Sequence, residues 1–110
     1  MLAVLTLELE ARDPTVNRLR RWQVDISHDL FGMWVADVQF GRIGSRGRQA
    51  RLVFESQSET DAFIRERLRR RATAKRRIGV AYRYVHASDE AWTMLAEFGI
   101  QAAKQPDNRR

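Results

Sequence analysis

Nine consecutive positions, Phe40-Gly41-Arg42-Ile43-Gly44-Ser45-Arg46-Gly47-Arg48, hold three glycines, three arginines and one aromatic ring. Each residue type brings a distinct capability. Glycine admits positive φ and lets another backbone or a ligand approach closely. Arginine presents a planar, permanently charged fork that matches phosphate oxygens. An aromatic ring offers a flat face to a sugar or a base. No acid lies between Gln39 and Phe54, so these arginines have no carboxylate nearby in sequence. The chemistry this stretch suits is anion contact, with phosphate as the partner. The bland alternative is a solvated turn, because Gly44, Ser45 and Gly47 suit turn geometry without a ligand. In that reading Arg42 forms a structural ion pair with Asp25 or Asp37.

A second cationic run lies at 65–77. Arg65, Arg67, Arg69, Arg70, Arg71, Lys75, Arg76 and Arg77 stand there with Glu66 as the one acid. The segment carries +7 and the rest of the chain −1, so the whole excess of the +6 net charge is local. Eighteen of the 20 basic residues are arginine, the side chain suited to bidentate phosphate contact. Cations this dense repel one another along a helix, and a polyanion relieves that repulsion. The residues assigned to nucleic-acid contact are therefore Phe40, Gly41, Arg42, Gly44, Arg46, Gly47 and Arg48 from the first stretch, with Arg69, Arg70, Lys75 and Arg76 from the second.

These residues need elements to hold them. Leu5, Leu7 and Leu9 alternate with Thr6 and Glu8, and the same period of two recurs through Trp22, Val24 and Ile26. It returns through Trp34, Ala36, Val38 and Phe40, through Ala50, Leu52 and Phe54, and through Val80, Tyr82 and Tyr84. Period two predicts strands, and the glycine-arginine stretch is then a hairpin turn between the third and the fourth. Ser58 with Asp61 reads as a helix start, followed by Phe63, Ile64, Leu68 and Ala72 on one apolar side. That helix runs to about Ile78-Gly79. Ser88-Asp89-Glu90 opens a short helix containing Ala91, Trp92, Leu95 and Phe98, which Gly99 closes. The expected fold is α+β: a mostly antiparallel β-sheet packed against one main α-helix, with a short C-terminal helix. Trp22, Trp34 and Trp92 are expected in the core, with Tyr82 and Tyr84 in or beside it. Residues 1–99 are expected to form one domain and 100–110 a flexible polar tail.

Several classes of chemistry find no support. The chain has no cysteine, which excludes thiolate catalysis and Cys-type zinc sites. His28 and His86 lie far apart, and no nucleophile elbow, phosphate-binding loop or carboxylate pair is present. Neither an enzyme nor a cofactor or metal is expected. The N-terminus lacks a basic region before its apolar run, and no stretch approaches a membrane span. A cytoplasmic protein is expected, nucleoid-associated if it binds DNA, with no membrane partner.

Phe40-Gly41-Arg42, Gly44 two residues on and Gly47 three after that precede a strand ending at Phe54 and a helix ending near Lys75. This pattern resembles the WGR domain family, named for its Trp-Gly-Arg motif. The family occurs in DNA-dependent poly(ADP-ribose) polymerases and in small bacterial proteins. Asn17-Arg18 through Trp22-Val24 resembles the family's first motif strand, and Lys75, Gly79 and Tyr82 resemble its Lys…Gly-Tyr ending, so the likeness covers 17–85. The resemblance implies a DNA-binding module without enzymatic activity, directed to strand ends or nicks. It gives the ring at position 40 to a terminal sugar and Arg42 to DNA. One departure stands out: the motif's Trp is Phe40 here, with less area and no indole N–H. The resemblance also allows an adaptor whose basic surface meets an acidic protein partner. Strand parity assigns Phe40 to the core while the resemblance assigns it to the ligand, and at this level both readings stand.

Overall fold

The computed structural model describes residues 3–103. Five strands follow the expected alternation: β1 (Ala3–Asp13), β2 (Arg18–His28), β3 (Trp34–Arg42), β4 (Arg48–Phe54) and β5 (Arg83–Ala87). They form one antiparallel sheet in the order β4-β3-β2-β1-β5. Helices α1 (Gln57–Ala72) and α2 (Ala74–Ile78) lie between β4 and β5, and α3 (Trp92–Glu97) follows. The fold class is α+β, as the alternation predicts.

Register explains the core. Leu5, Leu7 and Leu9 of β1 stand opposite Ile26, Val24 and Trp22 of β2. In turn Trp22, Val24 and Ile26 stand opposite Phe40, Val38 and Ala36 of β3. Paired residues share a face, so one face of the sheet is apolar. Ile64 and Leu68 of α1 and Met94 and Leu95 of α3 bury against it. Each such side chain contributes about 1.5–3 kcal/mol of transfer free energy.

Four local expectations change. The helix cap is Ser56, whose Oγ accepts from the Glu59 N–H at 3.2 Å, and not Ser58. The Glu59 carboxylate accepts from the Glu55 N–H at 3.1 Å, which ties the residue before the cap to the first turn. Starting there turns Thr60, Ile64 and Leu68 inward and leaves Ala72 exposed. The single long helix is broken at Thr73 into α1 and α2. The last strand begins at Arg83, because Gly79, at φ +81°, ends α2 and residues 80–82 carry the chain to the sheet edge. Trp92 is 58% exposed: α3 buries Met94 and Leu95, which leaves the indole on its outer side. Trp22 is in the core and Trp34, Tyr82 and Tyr84 pack beside it, as expected.

Gly99, at φ +70°, closes α3 with paired bonds from its own N–H to Ala96 and from the Ile100 N–H to Leu95. Ile100 is buried, and Gln101 and Ala103 bond to Tyr84 at 2.9 and 2.8 Å. The first residues of the expected tail therefore lie against β5. Residues 104–110 of that expectation lie outside the described residues. No helix among the described residues is long and apolar enough to cross a membrane.

Replacing the cap tests the helix start. Ser56→Ala is expected to cost about 1 kcal/mol, read as a lower urea midpoint at unchanged m-value. An unchanged midpoint would return the cap to Ser58.

Candidate functional site

The β3–β4 hairpin is held by polar contacts from its neighbours. Arg21 donates from Nη2 to the Ser45 carbonyl at 2.8 Å and the Arg46 carbonyl at 3.2 Å, and Gln39 donates to the latter at 3.2 Å. The Ile43 N–H bonds to Leu19 at 2.9 Å, and the Ser45 Oγ–H to Arg42 at 2.8 Å. Two glycines make the turn possible. A Cβ on Gly47, at φ +67°, would stand 2.3 Å from the Phe40 carbonyl oxygen, and one on Gly41 would stand 2.8 Å from the Gly47 Cα. Gly44, at φ +88°, has open space around it.

Phe40 resolves its two readings in one place. It lies on the apolar face, opposite Trp22 in β2 and Arg48 in β4. Yet it is 37% exposed, two residues from the end of β3 and on the lining of an open groove. Strand parity and an accessible ring are therefore compatible. Arg42 takes neither acid expected of it. Its Nη2 donates to the Asn17 carboxamide at 2.8 Å, a neutral acceptor that fixes the guanidinium without neutralising it. Asp37 is held instead by Arg51 across the β3–β4 ladder, at 2.7 and 3.2 Å.

Two grooves meet around Phe40. One, of about 420 Å³, lies between α1–α2 and the ends of β2–β4, and Arg20, Phe40, Arg67, Arg70, Arg71, Arg77 and Tyr82 line it over a floor including Val38 and Leu52. The other, of about 370 Å³, is lined by Asn17, Arg18, Arg20, Arg21, Phe40, Gly41, Arg42, Arg71 and Tyr82. They share Arg20, Phe40, Arg71 and Tyr82, so they form one continuous surface. Among the described residues, eight arginines and no carboxylate line it. Among the described residues, Arg67 is the one member of this set with an ion pair, to Glu66.

Arg71 joins the grooves and continues the buried stripe of α1, three residues after Leu68. Its guanidinium carbon lies 4.6 Å from the Trp22 ring centroid and 5.7 Å from that of Tyr82. Nη1 donates to the Arg67 carbonyl at 3.1 Å, while the buried Nε has no partner among the described residues. Burial, reinforced by the charges of Arg67, Arg70 and Arg77 and opposed by Tyr82, pushes its pKa down to about 10. A lowered folded-state pKa means that folding disfavours the charged form. The penalty is complete at neutral pH and is relieved only as pH rises above about 10, where the folded state releases the proton before the unfolded chain does. Arg71→Met, which keeps the apolar stem and removes the charge, is therefore expected to leave the unfolding free energy at pH 7 unchanged or higher. A loss above about 1 kcal/mol would show that the ring contacts outweigh the desolvation.

Of the residues assigned from sequence, the structure gathers Phe40, Gly41, Arg42 and Arg70 along this surface. Gly44, Arg46, Gly47 and Arg48 are exposed at the hairpin beside it. Arg76 is exposed on α2. Arg69 turns towards α3, 5.9 Å from the Phe98 ring centroid, and Lys75 lines a separate cleft with Glu10 and Arg12. Arg18, Arg20, Arg21, Arg67, Arg71, Arg77 and Tyr82 enter the surface without having been assigned. Two signals for them were present. Arg20 shares strand parity with Trp22, and Arg71 follows Leu68 at helical spacing. Among the described residues no cluster of His, Cys, Asp or Glu could hold a metal ion.

The family model described as the WGR domain matches residues 5–77, two thirds of the chain. The match runs from β1 to α2 and includes Phe40-Gly41-Arg42, while Gly79 and Tyr82 of the expected motif ending lie beyond it. No curated protein and no solved structure matches the chain significantly.

Proposed function

This chain belongs to the WGR family, and from that membership we propose that it is a DNA-binding module without catalytic activity of its own. The family is associated with nucleic-acid binding and is not itself catalytic. The observation that carries the proposal is the continuous surface that eight arginines, and no carboxylate among the described residues, line. Arg42, Arg46, Arg70 and Arg77 neutralise phosphates. Phe40 packs its exposed ring on a sugar at a strand end. Contacts of this kind position the nucleic acid and read little of its sequence.

Fluorescence anisotropy with a short labelled duplex at low salt tests this reading. Binding is expected, with nicked and linear duplexes competing better than closed circular DNA. Arg42→Ala and Arg46→Ala are each expected to weaken binding about tenfold, the lower end for losing one charge-assisted contact, and equally for unrelated sequences. Wild-type affinity in both variants would remove the hairpin from the interface. No binding at low salt, with an acidic protein captured instead, would turn the surface over to the adaptor reading.

A further inference from the structure

Leu30 and Phe31, in the turn between β2 and β3, are 93% and 88% exposed, the highest values among the large apolar side chains described. The turn holds them out rigidly. Asp29 Oδ1 accepts from the Phe31 N–H at 2.8 Å and the Met33 N–H at 3.0 Å. The Asp29 N–H bonds to the Met33 carbonyl at 3.0 Å, and the Gly32 N–H to the Asp29 carbonyl at 3.2 Å, with Gly32 at φ +80°. Side chains carried on a loop fixed in this way lose little freedom on binding. The turn is therefore an apolar knob, already ordered.

The same end of the molecule carries a hole. A cavity of about 230 Å³ lies where the first residues of β1, β3 and α1 meet α3, and Leu5, Ile26, Trp34 and Met94 line its apolar side. About 150 Å³ is enough to hold benzene, so a phenyl ring fits. Its exposed members Gln57, Glu90 and Thr93 form the rim. Trp34 directly follows Met33, so knob and hole adjoin.

We propose that two copies of this chain pair about a two-fold axis, Phe31 of each protomer entering the hole of the other and Leu30 packing on its rim. A knob and a hole at one end of one molecule are self-complementary, as such an interface requires. Two phenyl rings bury about 150–250 Å² each and the holes lose about as much, about 600–1,000 Å² together. Both Leu30 side chains and the rims bring the total to about 1,200 Å², where stable interfaces begin. Charge argues against DNA or an anionic membrane at this end, because no lysine or arginine stands between Trp22 and Gly41. The turn that carries Arg42 and Arg46 lies at the other end of β3, about 26 Å away. The pairing neither rests on the DNA reading nor competes with it.

Sedimentation equilibrium of the nucleic-acid-free chain over about 5–500 µM reads the pairing directly. A monomer–dimer equilibrium with a micromolar Kd is expected, the weak end for interfaces near this area. Each copy carries +6, so raising salt from about 50 to 500 mM screens repulsion and should leave the Kd unchanged or lower. DNA binding responds with the opposite sign. Phe31→Ser is expected to raise the Kd at least about tenfold, because both protomers lose a central ring. Thr93→Arg, on the rim, is expected to do the same by blocking the hole. Both positions are exposed, so the urea midpoints of dilute samples should match wild type. A monomer at every concentration would overturn the proposal, as would wild-type pairing in Phe31→Ser. Loss of pairing in Phe31→Ser with full pairing in Thr93→Arg would overturn the knob-and-hole arrangement. A dimer that dissolves at high salt would overturn it too, because polar contacts would then hold the copies.

Discussion

Raising monovalent salt from about 50 to 200 mM is expected to weaken binding to duplex DNA about 150-fold, because about four phosphates each release condensed counterions, a slope of about −3.6 in log K against log salt. The number four is that of the arginines proposed above as phosphate contacts. Arg42, Arg46, Arg70 and Arg77 are exposed and have no ion pair among the described residues. Arg67 is shared with Glu66, and Arg71 is partly sequestered between Trp22 and Tyr82, so neither is counted in full. Titrations by anisotropy at four or five salt concentrations give the slope directly. A slope shallower than about −1 would mean that the arginine surface is not the interface, whatever affinity is found. The double variant Arg42→Ala/Arg70→Ala should flatten the slope by about two contacts, to about −1.8. Loss of affinity without flattening would mean that these residues act through the fold and not through phosphate.

How much of this surface the sequence discloses depends on the range of the information. Period two in β1 to β4 is local and predicts the faces correctly, down to Phe40 opposite Trp22. The hairpin is local too, since its glycines follow each other within seven residues. The helix face is harder. Adjacent helical residues point about 100° apart, so a dense arginine run says little about which members meet the sheet. Arg69 and Arg70 are neighbours in sequence, yet one faces Phe98 at the end of α3 and the other the groove. The choice is made by the Ser56 cap, which sets the Thr60-Ile64-Leu68 stripe and so carries Arg71 inward. Arg20 and Tyr82 are harder again. They meet Arg71 through sheet register and through the path of 80–82, and both are tertiary. The motif named the family; packing chose the arginines.

The hairpin itself offers the sharpest structural test, because two of its glycines share a backbone conformation and differ in their surroundings. Gly44 and Gly47 have φ of +88° and +67°, so alanine at either site incurs the left-handed cost of about 1–2 kcal/mol. At Gly44 nothing lies within 4 Å of the new Cβ, and the cost stops there. At Gly47 the Cβ meets the Phe40 carbonyl oxygen at 2.3 Å and its carbon at 3.0 Å. These are backbone atoms of the paired strand, so no side chain can swing aside and the turn must open. Gly47→Ala is therefore expected to destabilise the protein by at least about 1 kcal/mol more than Gly44→Ala in urea unfolding. Opening the turn also withdraws the Arg46 carbonyl from Arg21 and Gln39 and shifts Phe40 and Arg42, whose strand carries the displaced carbonyl. DNA affinity should consequently fall by more than tenfold in Gly47→Ala, while Gly44→Ala stays within about threefold of wild type, the factors expected for losing two contacts and less than one. Equal affinities in the two variants would mean that the glycine crossing serves the fold alone.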